Sequence, residues 1–181
     1  MKHFYHFLVL ISLIQPVQLM ADSKNNTLKI AILYDDEFLL HYTGPNHPEN
    51  SDRISRAINF LKKDFKLRSN LLWPSFGYAP EDVINLVHSK NYINLVKIES
   101  ERLDDTTAIL STGDTVISKQ SYQVARKSVG AMMEGVDQIM KGKVLNAFAF
   151  TRPPGHHATK DRGMGFCIFN NVAIAAKYLQ Q

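Results

Sequence analysis

Two adjacent histidines, His156 and His157, follow a rigid Arg152-Pro153-Pro154-Gly155 turn. Imidazole titrates near neutral pH and the prolines restrict where the rings point, so the pair suits proton transfer, each ring tuning the other. An isolated His-His is also compatible with two loop side chains that hydrogen-bond their neighbours. A metal site is a third reading, but zinc draws three or four ligands from separated positions and no His, Cys and Asp pattern of that kind is visible. Cys167, the only cysteine, sits between Gly165-Phe166 and Ile168-Phe169. That apolar setting suits a packed thiol better than a nucleophile activated by His156 or His157. The sequence has no convincing carboxylate pair, Gly-rich phosphate loop or Gly-x-Ser-x-Gly elbow.

The elements that must position the histidines alternate between strand and helix. Residues 144–151 are apolar on both faces, which predicts a central parallel strand covered by helices. In an open parallel α/β sheet the crevice beyond the carboxyl end of a strand is where ligands bind, and His156 and His157 follow there. Residues 28–34 predict a second buried strand, followed over 35–50 by an irregular loop holding Gly44, Pro45, Pro48, His41 and His47. Ile54, Ala57, Ile58 and Leu61 predict an amphipathic helix over 53–65. Pro80-Glu81-Asp82 opens a further helix running through Val87, with His88 expected to cap or pack it. The longest helix is predicted over 118–140, with Val129, Met132, Met133, Val136 and Met140 toward the core and Asp114 or Ser118 as its cap. A last helix, 170–181, would bury Val172, Ala173, Ala176 and Leu179. The fold class is therefore α/β, an open parallel sheet with helices on both faces.

Length and composition fit one globular domain, with 181 residues of which 45% are hydrophobic and 21% charged. The net charge of +4 is scattered apart from Lys62, Lys63, Lys66 and Arg68, which look like a solvated helix face and give nucleic-acid binding little support. Residues 1–21 carry Lys2, the apolar run Phe7 to Ile14 and a small Ala21, the layout of a signal peptide cleaved after Ala21. The apolar run is shorter than the ~20 residues a membrane span needs, so no stable anchor is expected. A polar linker, 22–27, and a domain over 28–181 would then be exported, to a bacterial periplasm or the medium, with no internal disulfide.

Several blocks in order carry a family resemblance. Arg152-Pro-Pro-Gly-His-His-Ala158 followed by Gly165-Phe-Cys-Ile-Phe-Asn-Asn-Val-Ala-Ile-Ala-Ala176 closely resembles the class II histone deacetylase and acetylpolyamine amidohydrolase pattern. His47-Pro-Glu-Asn-Ser-Asp-Arg-Ile54 is similar to the family's early His-Pro-Glu block, Val87-His-Ser-Lys-Asn-Tyr-Ile93 to its His-Ser-x-x-Tyr segment, and Gly113-Asp-Thr-Val-Ile-Ser118 to the stretch before its long helix. The resemblance covers nearly all of 28–181 and implies an arginase/deacetylase-like fold. It implies His157 as general base and acid with His156 as electrostatic partner, Gly165 and Phe166 as substrate-binding residues, and Arg53 beside an internal channel. It also implies a zinc cofactor that polarises the amide and activates water. The family's zinc ligands, an Asp-x-His pair and a further Asp, follow later strands and have no counterpart in this sequence, so the expected domain is the N-terminal part of a truncated one.

Three functions follow from these residues. The first is a zinc-dependent deacetylase acting on acetyl-lysine or acetylated small amines. The second is an inactive remnant that binds an acylated amine without hydrolysing it. The third, a plain interaction module, has only surface charge behind it.

Overall fold

The computed structural model describes residues 29–181; the predicted signal segment 1–21 and linker 22–27 lie outside the described residues. A parallel sheet of three strands organises the chain in the order β2-β1-β5, with β1 Ile30–Leu33, β2 Leu71–Leu72 and β5 Asn146–Ala149. Ala31, Ile32 and Leu33 are all buried. Successive strand side chains point to opposite faces, so both faces of β1 are covered, as its unbroken apolar run requires. Among the described residues no helix is long and apolar enough to cross a membrane.

The helices are α1 Asp52–Lys63, α2 Phe65–Arg68, α3 Glu81–Ile84, α4 Lys90–Glu101, α5 Ser121–Met140 and α6 Asn171–Leu179. A short antiparallel pair, β3 Ala108–Ile109 and β4 Val116–Ile117, precedes α5. Helix α1 buries Ile54 and Ile58 as its periodicity predicts. Helix α4 was not foreseen, although Ser89 caps it by accepting from the Tyr92 amide and Tyr92, Ile93, Val96 and Ser100 form its buried stripe. The helix opened by Pro80 is only one turn, and a five-residue 3-10 helix, Asp36–Leu40, occupies part of the predicted irregular loop.

Strand β5 lies on one side of the sheet formed by the described residues, and Phe148 is 58% exposed there. Two packing expectations are corrected. Helix α6 buries Asn171, Ile174 and Ala175 and leaves Val172 and Leu179 exposed. An almost wholly apolar helix has no polar face to identify the buried one, so periodicity selected the wrong stripe. Helix α5 buries Tyr122, Val124, Ala125, Val129 and Ala131, whereas Met140 is 66% exposed at its end. Its first residue follows Gln120, and neither Asp114 nor Ser118 caps it.

Candidate functional site

The segment after β5 is held from below by a fully buried arginine. Arg152 donates from Nε to Glu49 Oε1 at 2.7 Å and from Nη2 to Glu49 Oε2 at 2.9 Å, a bidentate pair across 103 positions of sequence. Its remaining donors reach the Glu49 carbonyl at 2.9 Å and the Phe38 carbonyl at 3.3 Å, and the Arg152 carbonyl accepts from Ser128 Oγ. Charges removed from water survive only when paired and hydrogen-bonded in this way. Arg53, expected beside an internal channel, lies on α1 with 55% of its side chain exposed among the described residues, and its guanidinium reaches Glu49 Oε1 at 3.2 Å. The guanidinium buried beneath the loop belongs to Arg152.

Pro153, Pro154 and Gly155 then carry the chain against the start of α6, where a Cβ on Gly155 would overlap the buried Asn171 carboxamide. The Gly155 carbonyl accepts from the Val172 amide at 3.1 Å. Beyond this contact His156 and His157 both come to the surface, their ring centroids 4.1 Å apart and their planes inclined at 47°. The His156 amide donates to Cys167 Sγ at 3.4 Å, which accounts for the buried thiol as packing and as an acceptor rather than as a nucleophile.

Met164 and Cys167 exchange backbone hydrogen bonds of 3.1 and 3.0 Å across a two-residue turn whose central residues both have positive φ, Gly165 at 57° and Phe166 at 68°. Glycine takes that conformation without strain; phenylalanine does so only where the surroundings hold it. Asp114, expected as a helix cap, is the residue that holds it, since its Oδ1 accepts from the Gly165 amide at 2.9 Å. A Cβ on Gly165 would lie 2.7 Å from His157 Cδ2, so only glycine lets the turn approach the imidazole this closely. Phe166 is 37% exposed, and its ring meets His47 edge-on at 4.7 Å. His156, His157, Gly165, Phe166 and His47 thus converge from three segments.

His88 is 1% exposed and fixes this loop from the far side. Its Nε2 accepts from the Asn170 amide at 2.8 Å, so the proton is on Nδ1, which donates to the Lys160 carbonyl at 3.1 Å. Burial lowers its pKa, in keeping with that neutral tautomer. Asn170 also donates from Nδ2 to the Ala158 carbonyl and caps α6 through Oδ1.

His41 is the buried histidine beneath the site. Its Nδ1 lies 2.7 Å from Ser121 Oγ, and its Nε2 lies 3.8 Å from Glu49 Oε2 without a hydrogen-bond partner. Desolvation first, and then the charges of Arg152 and His47, push its pKa down to about 3. The unfolded chain takes up this proton below the ordinary value of 6.5, while the folded chain stays neutral to about pH 3. The stability from this group is therefore complete above pH 6.5 and declines as pH falls toward 3, with a slope approaching about 1.4 kcal/mol per pH unit. Urea unfolding of the parent and His41→Gln across this range is expected to give a shallower slope in the variant. Equal slopes would contradict the assignment.

The residues do not themselves fit the zinc that the fold implies: among the described residues no three His, Cys, Asp or Glu side chains are grouped to hold a metal ion. Arg152, Glu49, His41, His88 and Asp114 were not recognised from sequence as supports of the site. Their partners lie between 51 and 103 positions away, and no local spacing signals such a pair.

Comparison with known proteins agrees with this arrangement. Residues 47–181 match the family model of the histone deacetylase domain. The chain is 39% identical over 160 residues to an uncharacterised protein of Synechocystis, covering 82% of this chain and 48% of that one. It is 36% identical over 136 residues to the polyamine deacetylase HDAC10 of Homo sapiens, covering 74% of this chain and 20% of that one. The crystal structure of the HDA15 HD domain matches with a TM-score of 0.76 at 30% identity, over 85% of this chain and 44% of that one. The chain thus spans about half the length, or less, of these relatives. With the His156-His157 loop and the Gly165-Phe166 turn inside the matched region, the chain belongs to the histone deacetylase domain family.

Proposed function

We propose that this chain provides the proton-transfer and acyl-binding side of a zinc-dependent amide hydrolase that removes acetyl groups from acetylated amines. The convergence of His157 with Gly165 and of Phe166 with His47 carries this reading. The Phe166 and His47 rings form an aromatic wall suited to an acyl-bearing methylene chain. The Gly165 carbonyl is the acceptor for the substrate's amide N–H. His157 takes a proton from water and returns it to the departing amine, one imidazole nitrogen serving both transfers. His156, 4.1 Å away between centroids, sets the charge felt by that ring. Zinc, by this reading, is held by side chains other than those described here.

The substrate class is a small acetylated amine. A relative named as a polyamine deacetylase supports it, and the proposed export, resting on Lys2, Phe7 to Ile14 and Ala21, separates the protein from nuclear histones. The test is acetate release by the zinc-loaded whole protein from an acetylated polyamine and from an acetyl-lysine peptide. The polyamine is expected to be preferred. Release from neither removes the hydrolase reading and leaves an acyl-amine binding module.

Export has its own test. Intact-mass analysis of protein from the extracytoplasmic fraction is expected to give a chain beginning at Asp22. A soluble cytosolic product that retains Met1 to Ala21 would exclude it.

A further inference from the structure

The charge of this chain is concentrated in one place. Residues 52–68 hold six cations, Arg53, Arg56, Lys62, Lys63, Lys66 and Arg68, against two acids, Asp52 and Asp64, a surplus equal to the formal +4 of the whole chain. All six cations lie on the exposed surface of α1 and α2. The two acids are already engaged, Asp52 with Arg56 at 3.0 Å and Asp64 as the cap of α2, accepting from the amides of Lys66 and Leu67. Lys63 and Lys66 have no carboxylate partner among the described residues. Between these cations stand the most exposed aromatic rings of the described chain, Phe65 at 83% and Phe60 at 66%, together with Leu67 at 42%.

Helix α1 turns its apolar stripe, Ile54 and Ile58, inward, so Phe60 and Phe65 stand outside the core formed by the described residues. They lie at and beyond the end of the helix, beside Lys63, Lys66 and Arg68. The Arg68 guanidinium lies 5.7 Å over the Phe65 ring, and exposed rings set beside such cations and the unpaired Lys63 and Lys66 leave water on entering the headgroup boundary of a bilayer while the cations meet its anionic phosphates. A nucleic acid would satisfy the cations but leave Phe65 and Leu67 in water, and a hydrophobic protein partner would leave the cations unanswered.

We propose that the α1–α2 corner is a peripheral docking surface for an anionic lipid membrane, with Lys63, Lys66 and Arg68 contacting headgroup phosphates and Phe65 and Phe60 inserting between them. The contact is reversible and surface-bound, distinct from a membrane span, and independent of the proposed hydrolase activity.

Co-sedimentation of the full chain with vesicles tests it, using phosphatidylcholine alone and phosphatidylcholine mixed with phosphatidylglycerol. Binding to the anionic vesicles is expected to be at least about tenfold tighter and to weaken with salt. The triple variant Lys63→Glu, Lys66→Glu, Arg68→Glu is expected to lose that preference, and Phe65→Ala to weaken binding severalfold on its own. Unchanged thermal melting is expected in both variants because these side chains are exposed, and it separates lost docking from lost folding. The N-terminal apolar run is common to parent and variants, so any binding it contributes cancels in the comparison. Equal binding to both vesicle types, or unchanged binding by both variants, would overturn the proposal. So would tighter binding to duplex DNA than to anionic vesicles, or self-association abolished by Phe65→Ala, which would assign the surface to nucleic acid or to a second copy of the chain.

Discussion

In the zinc-loaded whole protein, His157→Ala is expected to slow acetyl-amine hydrolysis by about 10² to 10⁴, the usual worth of one positioned acid–base group. The ring is exposed, and Gly165 has no side chain to obstruct it. Its removal thus takes away a proton carrier without opening a cavity, and unfolding should change little. Zinc content should be unchanged, because proton transfer rather than ligation is the role assigned. His156→Ala should also slow turnover, through the charge it presents to its neighbour. Phe166→Ala should act chiefly on KM, since an aromatic wall holds ground and transition states alike. Full activity in His157→Ala would remove the histidine from the chemistry, and loss of zinc would make it a ligand.

The second large effect is structural. Arg152→Met keeps much of the apolar stem but leaves the buried Glu49 carboxylate with only the largely exposed Arg53 as a cationic hydrogen-bond partner, and deprives the Phe38 carbonyl of the guanidinium. Breaking a buried pair from one side costs about 3–5 kcal/mol, a large share of a total stability of about 5–15 kcal/mol. Urea unfolding is expected to show that loss, and Arg152→Met combined with Glu49→Leu to recover part of it, because the second change removes the orphaned charge. A single variant as stable as the parent would mean that the pair does not anchor the loop. Since the two histidines follow Arg152 within five residues, this variant should also perturb the site.

Parallel α/β architecture was legible because its signal is local. Continuous apolar runs at 28–34 and 144–151 differ in length and flanks from the amphipathic stretch that became α1, and all three formed where their patterns lie. What failed was the choice of buried face in α6, whose near-uniform apolar character hid its buried stripe. Helix α4 is marked in the sequence only by its capping Ser89 and by the short stripe Tyr92, Ile93 and Val96.

The candidate site divides in the same way. His156, His157, Gly165 and Phe166 are close in sequence and stood out as motifs; the side chains that hold them did not. Asp114 carried the features of a helix cap, but the Gly165 amide, brought near by the packing of the β3–β4 region, takes its carboxylate instead. His41 and His88 looked alike as loop or helix-end histidines. They differ only in what surrounds them, one partnered at both nitrogens and one at a single nitrogen.

Histidine ring signals in an NMR titration with an acetylated polyamine test the central assignment most directly. The ring C–H resonances of His156 and His157, together with those of His47 beside Phe166, are expected to shift on binding, while buried His41 and His88 remain still. Phe166→Ala should weaken the response without changing the starting positions of the His41 and His88 signals. Shifts confined to His41 and His88, or none at His156 and His157 at saturating ligand, would contradict the placement of acyl-amine binding at the His156-His157 loop.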